Sequence, residues 1–314
     1  MVWRGQPGGA GAPPPGGSYI APVATPARIL IHLDHNPHPR VYDRIMSLDG
    51  GADSVLSYGD VDPQDVPSLV SGALYSRPLD ELARTAVLVT GTNDHVVDEM
   101  VRQARRAFFG RHVVSLMSEC KGGNAVAGAT VARIERILAL DGVAATVIGG
   151  GPVGARVAGL LARAGARVTL TAFDPEEAQE RRRFVGRVFE REIEPVVWKS
   201  GEPLADLLEG ARVLVSAGPP GLPLVPRVAW ERAADLQLVA DVSGAEPPGI
   251  DGVPAESDGE VLHGGSGAPR ALGGLAISRQ KVAVHREAVA RLFGPEPLVL
   301  GPVEIAGIAR ELSG

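Results

Sequence analysis

Short apolar runs alternate along this chain with longer stretches whose apolar residues recur at helical spacing. Three apolar runs in the first part of the chain predict strands, at 29–33, 85–91 and 112–117. Helical spacing predicts three helices, at about 39–47, 96–108 and 124–140. Strands that alternate with helices are typical of a parallel sheet covered by helices, so these elements predict a small parallel α/β domain. The helix at 124–140 would bridge it to a second domain.

A glycine-rich turn then separates an apolar run from an amphipathic stretch that reads IGGGPVGARVAGLLA. Gly149, Gly151 and Gly154 have the G-x-G-x-x-G spacing, with Pro152 and Val153 between them. The first glycine permits the tight turn, the second lets the backbone approach a pyrophosphate, and the third brings helix and sheet together. The pyrophosphate would meet free N–H groups at the helix start. The alternative is a glycine turn that only packs two elements. The flanking strands and helix favour a binding site for NAD or NADP over a turn that only packs.

Two later apolar runs, at 211–218 and 236–244, predict further parallel strands of the nucleotide sheet. Ligands lie at the carboxyl ends of such strands, so Ala217, Gly218 and Asp241 should border the nicotinamide half of the site. A helix from about 281 to 293 would return to the first domain. The predicted fold is therefore α/β, with a small parallel α/β substrate domain, a Rossmann-like dinucleotide-binding domain and a cleft between them.

The domain boundaries follow from these patterns and from composition. Residues 1–27 are rich in glycine and proline and predict a flexible tail. Residues 28–123, with 282–314 packing back, predict the substrate domain, and residues 124–281 the nucleotide domain. A net charge of −6 with intermixed signs favours a small-molecule partner over nucleic acid or a membrane. A single cysteine, Cys120, predicts a cytoplasmic protein without an internal disulfide. A homo-oligomer remains open.

Several segments together resemble one known family. They are VYDRIMSLDGGADSVLSYGDV (41–61), FFG (108–110), the glycine fingerprint, SAGPPGLPLVPRVAW (from 216) and RALGGLAISRQKVAVHR (270–286). In this order they resemble the NAD(P)-dependent methylene-tetrahydromethanopterin dehydrogenases of methylotrophic bacteria. The resemblance covers almost the whole chain after the tail.

The resemblance implies an activity. These enzymes oxidise 5,10-methylene-tetrahydromethanopterin to the methenyl form and pass a hydride to NAD(P)+, a step of one-carbon (formaldehyde) oxidation. No proton is removed, so alignment and electrostatics matter more than a catalytic triad. The alternatives are a methylene-tetrahydrofolate dehydrogenase, whose Tyr-x-x-x-Lys motif is not found in the first domain, and a non-catalytic module that senses NAD(P).

The resemblance also assigns residues. Lys281 matches the family's lysine and is the expected catalytic residue, binding a carbonyl or the benzylic side of the pterin. Asp49, Gly50 and Asp53 are expected to bind the pterin, because a carboxylate can accept two adjacent N–H groups. The alternative is a turn that bonds its own backbone.

Neighbouring polar residues are less clearly assigned. Asn124 is expected to contact substrate or, more simply, to cap its helix. In the loop 118–125, Glu119 to Lys121 depart from the family pattern, which is richer in serine and asparagine. Asp34 and Asp43 are reserve candidates for the pterin. The residues His32, Asp34, His35 and His38 match no established metal spacing, so no metal is expected.

The choice between NAD and NADP is expected at the end of the second strand of the nucleotide fold. The residues there are Ala172, Phe173 and Asp174. The NADP-specific relatives have glycine and then arginine at the first two positions, so Phe173 removes the expected phosphate partner. Asp174 would repel a 2′-phosphate. We expect NAD to be accepted, with NADP as an alternative.

Overall fold

The computed structural model describes residues 25–264 and 267–313. Most of the expected tail, residues 1–24, lies outside this range. The first part of the chain forms β1 (Ile29–Asp34), α1 (Val41–Asp49), β2 (Ser54–Tyr58), α2 (Val66–Tyr75), β3 (Thr85–Gly91), α3 (Asp94–Arg106), β4 (Ser115–Cys120) and α4 (Gly123–Ile137). A 3₁₀ turn, Leu79–Arg84, precedes β3.

The middle of the chain forms the second sheet and its helices. These are β5 (Ala144–Ile148), α5 (Pro152–Arg163), β6 (Arg167–Ala172), α6 (Pro175–Phe189), β7 (Glu194–Val197), α7 (Ala205–Leu208), β8 (Val213–Ser216), α8 (Arg227–Arg232), β9 (Leu238–Asp241), β10 (Asp258–Val261) and β11 (Arg270–Leu272). The chain then forms α9 (Gly274–Arg291), β12 (Val299–Leu300) and α10 (Pro302–Glu311).

Two sheets organise the molecule, as the α/β prediction requires. The first has the order β12-β4-β3-β1-β2 and its strands pair in parallel. The second has the order β10-β11-β9-β8-β5-β6-β7, with only β10 antiparallel among its pairings. Strand order reverses between β1 and β3 in the first sheet and between β5 and β8 in the second. Ligands bind at such reversals, outside the carboxyl ends of the strands.

Three helices join the two sheets. One face of α4 packs Val131 and Ile134 into the core around β5, and another packs Ala125 and Ala132 into the core around β3. Helices α9 and α10 contribute to the same two cores. A Cβ at Gly128 of α4 would lie 3.2 Å from the Ala306 Cα of α10, so glycine allows the close approach. Helix α4 therefore packs into the cores of both sheets.

The structure corrects two predicted boundaries. Strand β4 covers Ser115–Cys120, so Glu119 and Cys120 belong to a strand and not to a loop. Helix α9 begins at Gly274, which places Lys281 inside the helix and not at its start. The elements that were not predicted include strands β2, β7, β10, β11 and β12 and helices α2, α7, α8 and α10. Among the described residues, no helix is both long and apolar enough to cross a bilayer.

Candidate active site

A cavity of about 670 Å³ lies at the carboxyl ends of β5, β6 and β8. It gathers eight of the predicted nucleotide-binding residues: Gly149, Gly151, Pro152, Val153, Ala172, Phe173, Ala217 and Gly218. Among the described residues that line it, Lys121 is the one cation and Glu177 the one anion. The cavity therefore has a largely uncharged, glycine-rich lining with one positive and one negative side chain.

The glycine spacing has the geometry that a dinucleotide requires. Gly149 has φ +108°, and a Cβ there would lie 2.8 Å from the Ala217 carbonyl carbon. A Cβ at Gly154 would lie 1.9 Å from the Gly149 oxygen, so glycine lets α5 pack against the turn. At Gly151 nothing lies within 4 Å of the Cβ position, which leaves space beside the start of α5. Free backbone N–H groups and the helix dipole at this end suit a pyrophosphate.

Three predicted cofactor residues do not line the cavity: Gly154, which packs against the glycine turn, Asp174 and Asp241. Asp174 is exposed and caps α6, accepting a hydrogen bond from the Glu177 N–H at 2.8 Å. Asp241 is buried, and its carboxylate accepts from the backbone N–H groups of Ser243, Gly249 and Ile250. The Asp241 carboxylate is thus held by its own loop, and Asp174 accepts from the first turn of the helix that it caps.

Glu177 also lines the cavity, although sequence reasoning did not predict it as a cofactor-binding residue. Its Oε2 accepts a hydrogen bond of 2.7 Å from the Phe173 N–H. It stands three residues after the helix cap Asp174, the position from which a glutamate reaches back to the chain before its helix. That capping-box spacing was a usable signal.

Polar side chains also cluster at the carboxyl end of β1, where the first sheet reverses. The Thr90 hydroxyl donates to Asp34 Oδ2 at 2.7 Å, and His32 Nε2 lies 2.7 Å from the same hydroxyl. Since the single hydroxyl proton goes to Asp34, His32 must donate from Nε2 and leave Nδ1 unprotonated. Burial lowers the pKa of His32 to about 4, so the ring is neutral.

Asp43 of α1 completes this cluster. One ligand-type atom from each of His32, Asp34 and Asp43 lies within 4.8 Å of the others, whereas His35 and His38 are not part of the group. Thr90 already joins His32 Nε2 to Asp34 Oδ2. The Asp43 oxygens have no hydrogen-bond partner among the described residues. Burial raises the pKa of Asp43 to about 6, against the opposing charge of Arg40, whose Nε lies 3.9 Å away.

Glu119, at the end of β4, is fully buried. Its two oxygens accept from the backbone N–H groups of Asn124 at 3.0 Å and Ala125 at 2.9 Å, the first turn of α4. Burial raises its pKa to about 7 despite these bonds. Asn124 does not cap the helix, because Glu119 does so. The Asn124 side chain instead donates to the Ser118 oxygen and accepts from Arg156.

Lys281 projects from α9 toward these carboxyl groups. Its ammonium lies 4.1 Å from the centre of the Tyr42 ring, a cation–π contact. A Cβ at Gly122 would be 3.6 Å from Lys281 Nζ. Burial lowers the pKa of Lys281, while the charges of Glu119 and Asp43 act to raise it. The ammonium is thus half-buried against an aromatic face, and the charges of Glu119, Asp43 and Arg40 act on it.

Asp49, Gly50 and Asp53 lie at the opposite, amino-terminal edge of the first sheet. Asp53 accepts a hydrogen bond of 2.7 Å from the backbone N–H of Arg28, just before β1. A Cβ at Gly50 would lie 2.6 Å from Val289 Cβ, so this glycine packs α1 against α9. The connection follows a helix and precedes a parallel strand, which places it at the amino edge. The structure therefore does not bring these residues to the site.

Comparison with known proteins matches two stretches of the chain to described families. Residues 41–121 match the family described as methylene-tetrahydromethanopterin dehydrogenase, N-terminal, and residues 137–241 match one described as putative NAD(P)-binding. The bifunctional protein MdtA of Methylorubrum extorquens is 32% identical over 289 residues, covering 91% of this chain and 99% of that protein. The NAD(P)-dependent methylenetetrahydromethanopterin dehydrogenase of the same organism is 28% identical, covering 92% of this chain and 100% of that protein.

Solved structures agree on the fold. A shikimate 5-dehydrogenase from Mycobacterium fortuitum has a TM-score of 0.51 at 18% identity, covering 90% of this chain and 97% of its own. A quinate dehydrogenase from Corynebacterium glutamicum, in complex with NAD, has a TM-score of 0.50 at 17% identity, covering 90% and 98%. At these identities the likeness extends to the two-domain dinucleotide-binding fold alone. On the sequence relationship, the chain belongs to the methylene-tetrahydromethanopterin dehydrogenase family.

Proposed function

We propose that this protein oxidises 5,10-methylene-tetrahydromethanopterin to the methenyl form by hydride transfer to NAD(P)+. One observation carries the proposal beyond family membership. Lys121 lines the nucleotide cavity, while the next residue, Gly122, lies beside Lys281 and Arg40. The nucleotide cavity and the group formed by Lys281, Tyr42, Asp43 and Glu119 therefore lie on either side of a single turn between β4 and α4. A hydride donor and a hydride acceptor would be adjacent across that turn.

The residues of the cavity fit a nicotinamide dinucleotide. When bound, it supplies the hydride acceptor. Gly151 and the first N–H groups of α5 would hold its pyrophosphate, and Lys121 would add the one positive charge on that wall. We propose that residues 124–281 form the nucleotide-binding domain. Residues 28–123, together with 282–314, would form the pterin-binding domain.

The reaction leaves a cation, because the two nitrogens beside the methylene carbon share the positive charge after hydride departs. An uncompensated ammonium at the site would oppose that charge. Glu119 and Asp43 act against the charges of Lys281 and of the neighbouring Arg40, so they reduce the positive field where the lysine would donate a hydrogen bond to a pterin carbonyl oxygen. We propose Lys281 as the catalytic residue, and Asp43 and Glu119 as positioning residues, in place of Asp49, Gly50 and Asp53. No residue has to remove a proton.

Absorbance of the methenyl product and of reduced nicotinamide tests the proposal. Purified protein is incubated with methylene-tetrahydromethanopterin or methylene-tetrahydrofolate, each with NAD+ and with NADP+. Both signals should rise together with the methanopterin carrier. Activity with the folate carrier alone would move the assignment to the folate enzymes. Nucleotide binding without turnover of either carrier would indicate a sensing module.

Lys281→Met tests the lysine within that assay. Loss of one charge-assisted hydrogen bond should lower kcat/KM about 10- to 100-fold. Nucleotide affinity should stay unchanged, because Lys281 does not line the nucleotide cavity. Arg279→Ala is the control, since Arg279 is an exposed cation on the same helix, paired with Glu256. Equal effects of the two variants would contradict the role of Lys281.

A further inference from the structure

We propose that Glu177 binds the ribose hydroxyls of the adenosine half and makes this chain select NAD over NADP. The inference rests on the proposed function, because it assumes a nicotinamide dinucleotide in the cavity. It moves the choice of cofactor from the end of β6, where sequence reasoning expected it, to the first turn of α6.

The carboxylate of Glu177 is held in place by the backbone. Oε2 accepts the hydrogen bond from the Phe173 N–H, at the end of β6. Oε1 lies on the fingerprint side, where a Cβ at Gly150 would be 3.2 Å away. Glu177 is half-buried and lines the cavity. One oxygen is thus fixed by the protein, and the other borders the glycine turn within the cavity.

Asp174 is only three residues from Glu177 in the sequence, but it has a different role in the structure. Its carboxylate accepts the Glu177 N–H as the cap of α6, and the residue does not line the cavity. Asp174 therefore fixes the start of the helix from which Glu177 reaches back. The acid that faces the cavity is Glu177.

A carboxylate at this place distinguishes the two nucleotides by charge and by hydrogen bonding. The ribose hydroxyls of NAD donate hydrogen bonds to a carboxylate. A 2′-phosphate removes one of those donors and adds negative charge, so it is repelled. Glu177 is the one anion among the described residues lining the cavity, and Arg181 offsets only part of its charge because Arg181 also pairs with Asp94 and Glu180.

The nearby cations do not favour a 2′-phosphate. Arg181 has Nε 3.8 Å from Glu177 Oε1, and its Nη1 lies 3.4 Å from Asp94 Oδ2, so its charge is already shared by carboxylates. The Lys199 ammonium lies 5.6 Å from the centre of the Phe173 ring, and Lys199 does not line the cavity. Phe173 itself offers a phosphate no charge.

Isothermal titration calorimetry with NAD+ and with NADP+ tests the inference without any pterin. The unaltered protein should bind NAD+ at least about tenfold more tightly than NADP+. Glu177→Gln should weaken NAD+ and strengthen NADP+, each by about tenfold, because it removes the charge while keeping the size of the side chain. Glu177→Asp should keep the rejection of NADP+ and weaken NAD+. Glu176→Gln, an exposed acid on the same turn, is the control and should change neither affinity.

The outcomes separate this inference from the proposed function. Equal affinity for both nucleotides in the unaltered protein, or identical behaviour of Glu177→Gln and Glu176→Gln, would overturn the role of Glu177 and leave the dehydrogenase proposal standing. No binding of either nucleotide to the folded, unaltered protein would overturn both. Far-UV circular dichroism of each variant excludes loss of folding as the cause.

Discussion

Asp43 and Asp49 lie near opposite ends of the same helix and have opposite surroundings. Asp43 is buried beside Arg40 and within the field of Lys281, whereas Asp49 is exposed at the other edge of the sheet. Sequence reasoning ranked Asp49 above Asp43 because Asp49 and Asp53 flank two glycines, where a flat ring could approach the backbone. The helix explains the difference, because it carries the chain from the carboxyl edge of the sheet to the amino edge.

The same substitution at these two positions gives a paired test. Asp43→Asn should lower kcat/KM about tenfold, because one of the charges that offset Lys281 is lost. Asp49→Asn should leave kcat/KM near that of the unaltered protein. Steady-state kinetics with methylene-tetrahydromethanopterin provides the measurement. The reverse ranking would support the expectation drawn from sequence.

The pH profile of the same reaction reports the protonation of Asp43 and Glu119. The raised pKa values of Asp43, about 6, and Glu119, about 7, mean that both are charged in alkaline solution and neutral in acid. We expect log(kcat/KM) to fall as the pH drops from about 8 to about 5, because protonation leaves the ammonium uncompensated. In Asp43→Asn, removal of a negative neighbour lowers the pKa of Glu119, so the acid limb should move to lower pH. An unchanged limb would exclude coupling between the two groups.

At the scale of elements, α1 and its turn hold the first domain against α9. The Cβ position of Gly50 lies 2.8 Å from the Arg286 carbonyl oxygen as well as close to Val289. The turn at residues 50–53, which sequence reasoning expected to bind the pterin, therefore contributes a packing contact through Gly50. Its glycine is needed because two backbones approach each other there.

Gly50→Ala should destabilise the protein by about 1–3 kcal/mol, since an added methyl group would overlap α9. Gly72→Ala is a matched control, because Gly72 lies inside α2 with nothing within 4 Å of its Cβ position. Alanine is the better helix former there, so that variant should gain up to about 1 kcal/mol. Urea unfolding gives both values. A neutral Gly50→Ala would mean that α9 moves aside without cost.

At the scale of the whole molecule, buried ions join the two domains beside the site. Arg156, from the helix of the fingerprint, lies 2.8 Å from Asp94 at the start of α3, and both are almost fully buried. Arg156 also donates to Asn124. Burial would raise the pKa of Asp94, but Arg156 and Arg181 hold it below its ordinary value. This contribution to stability is therefore present at neutral pH and is lost only on strong acidification.

Arg156→Met should destabilise the protein by about 3–5 kcal/mol, because it leaves the Asp94 charge buried without its principal partner. Arg182→Ala, at an exposed position of α6, should change stability by less than about 0.5 kcal/mol. Thermal unfolding followed by circular dichroism compares the two. A small effect of Arg156→Met would show that the domain interface does not depend on this ion pair.

The sequence by itself determined the features that depend on neighbouring residues. The strand, glycine turn and helix of the nucleotide site occupy one continuous segment, so spacing alone located Gly149, Gly151 and Gly154, and apolar periodicity located β1, β3 and α4. Lys281 was reached only through family resemblance, because its spacing on α9 carries no signal of its own.

Only the tertiary structure decided which carboxylates act on that lysine. Asp43, Glu119 and Lys281 come from α1, β4 and α9, and their charges act on one another because β1, β3 and β4 run parallel and α9 packs back on them. Strand order and helix direction are set by packing between distant segments, which local periodicity does not report. For the same reason the turn at residues 50–53, which sequence reasoning expected to bind the pterin, lies at the opposite edge of the sheet.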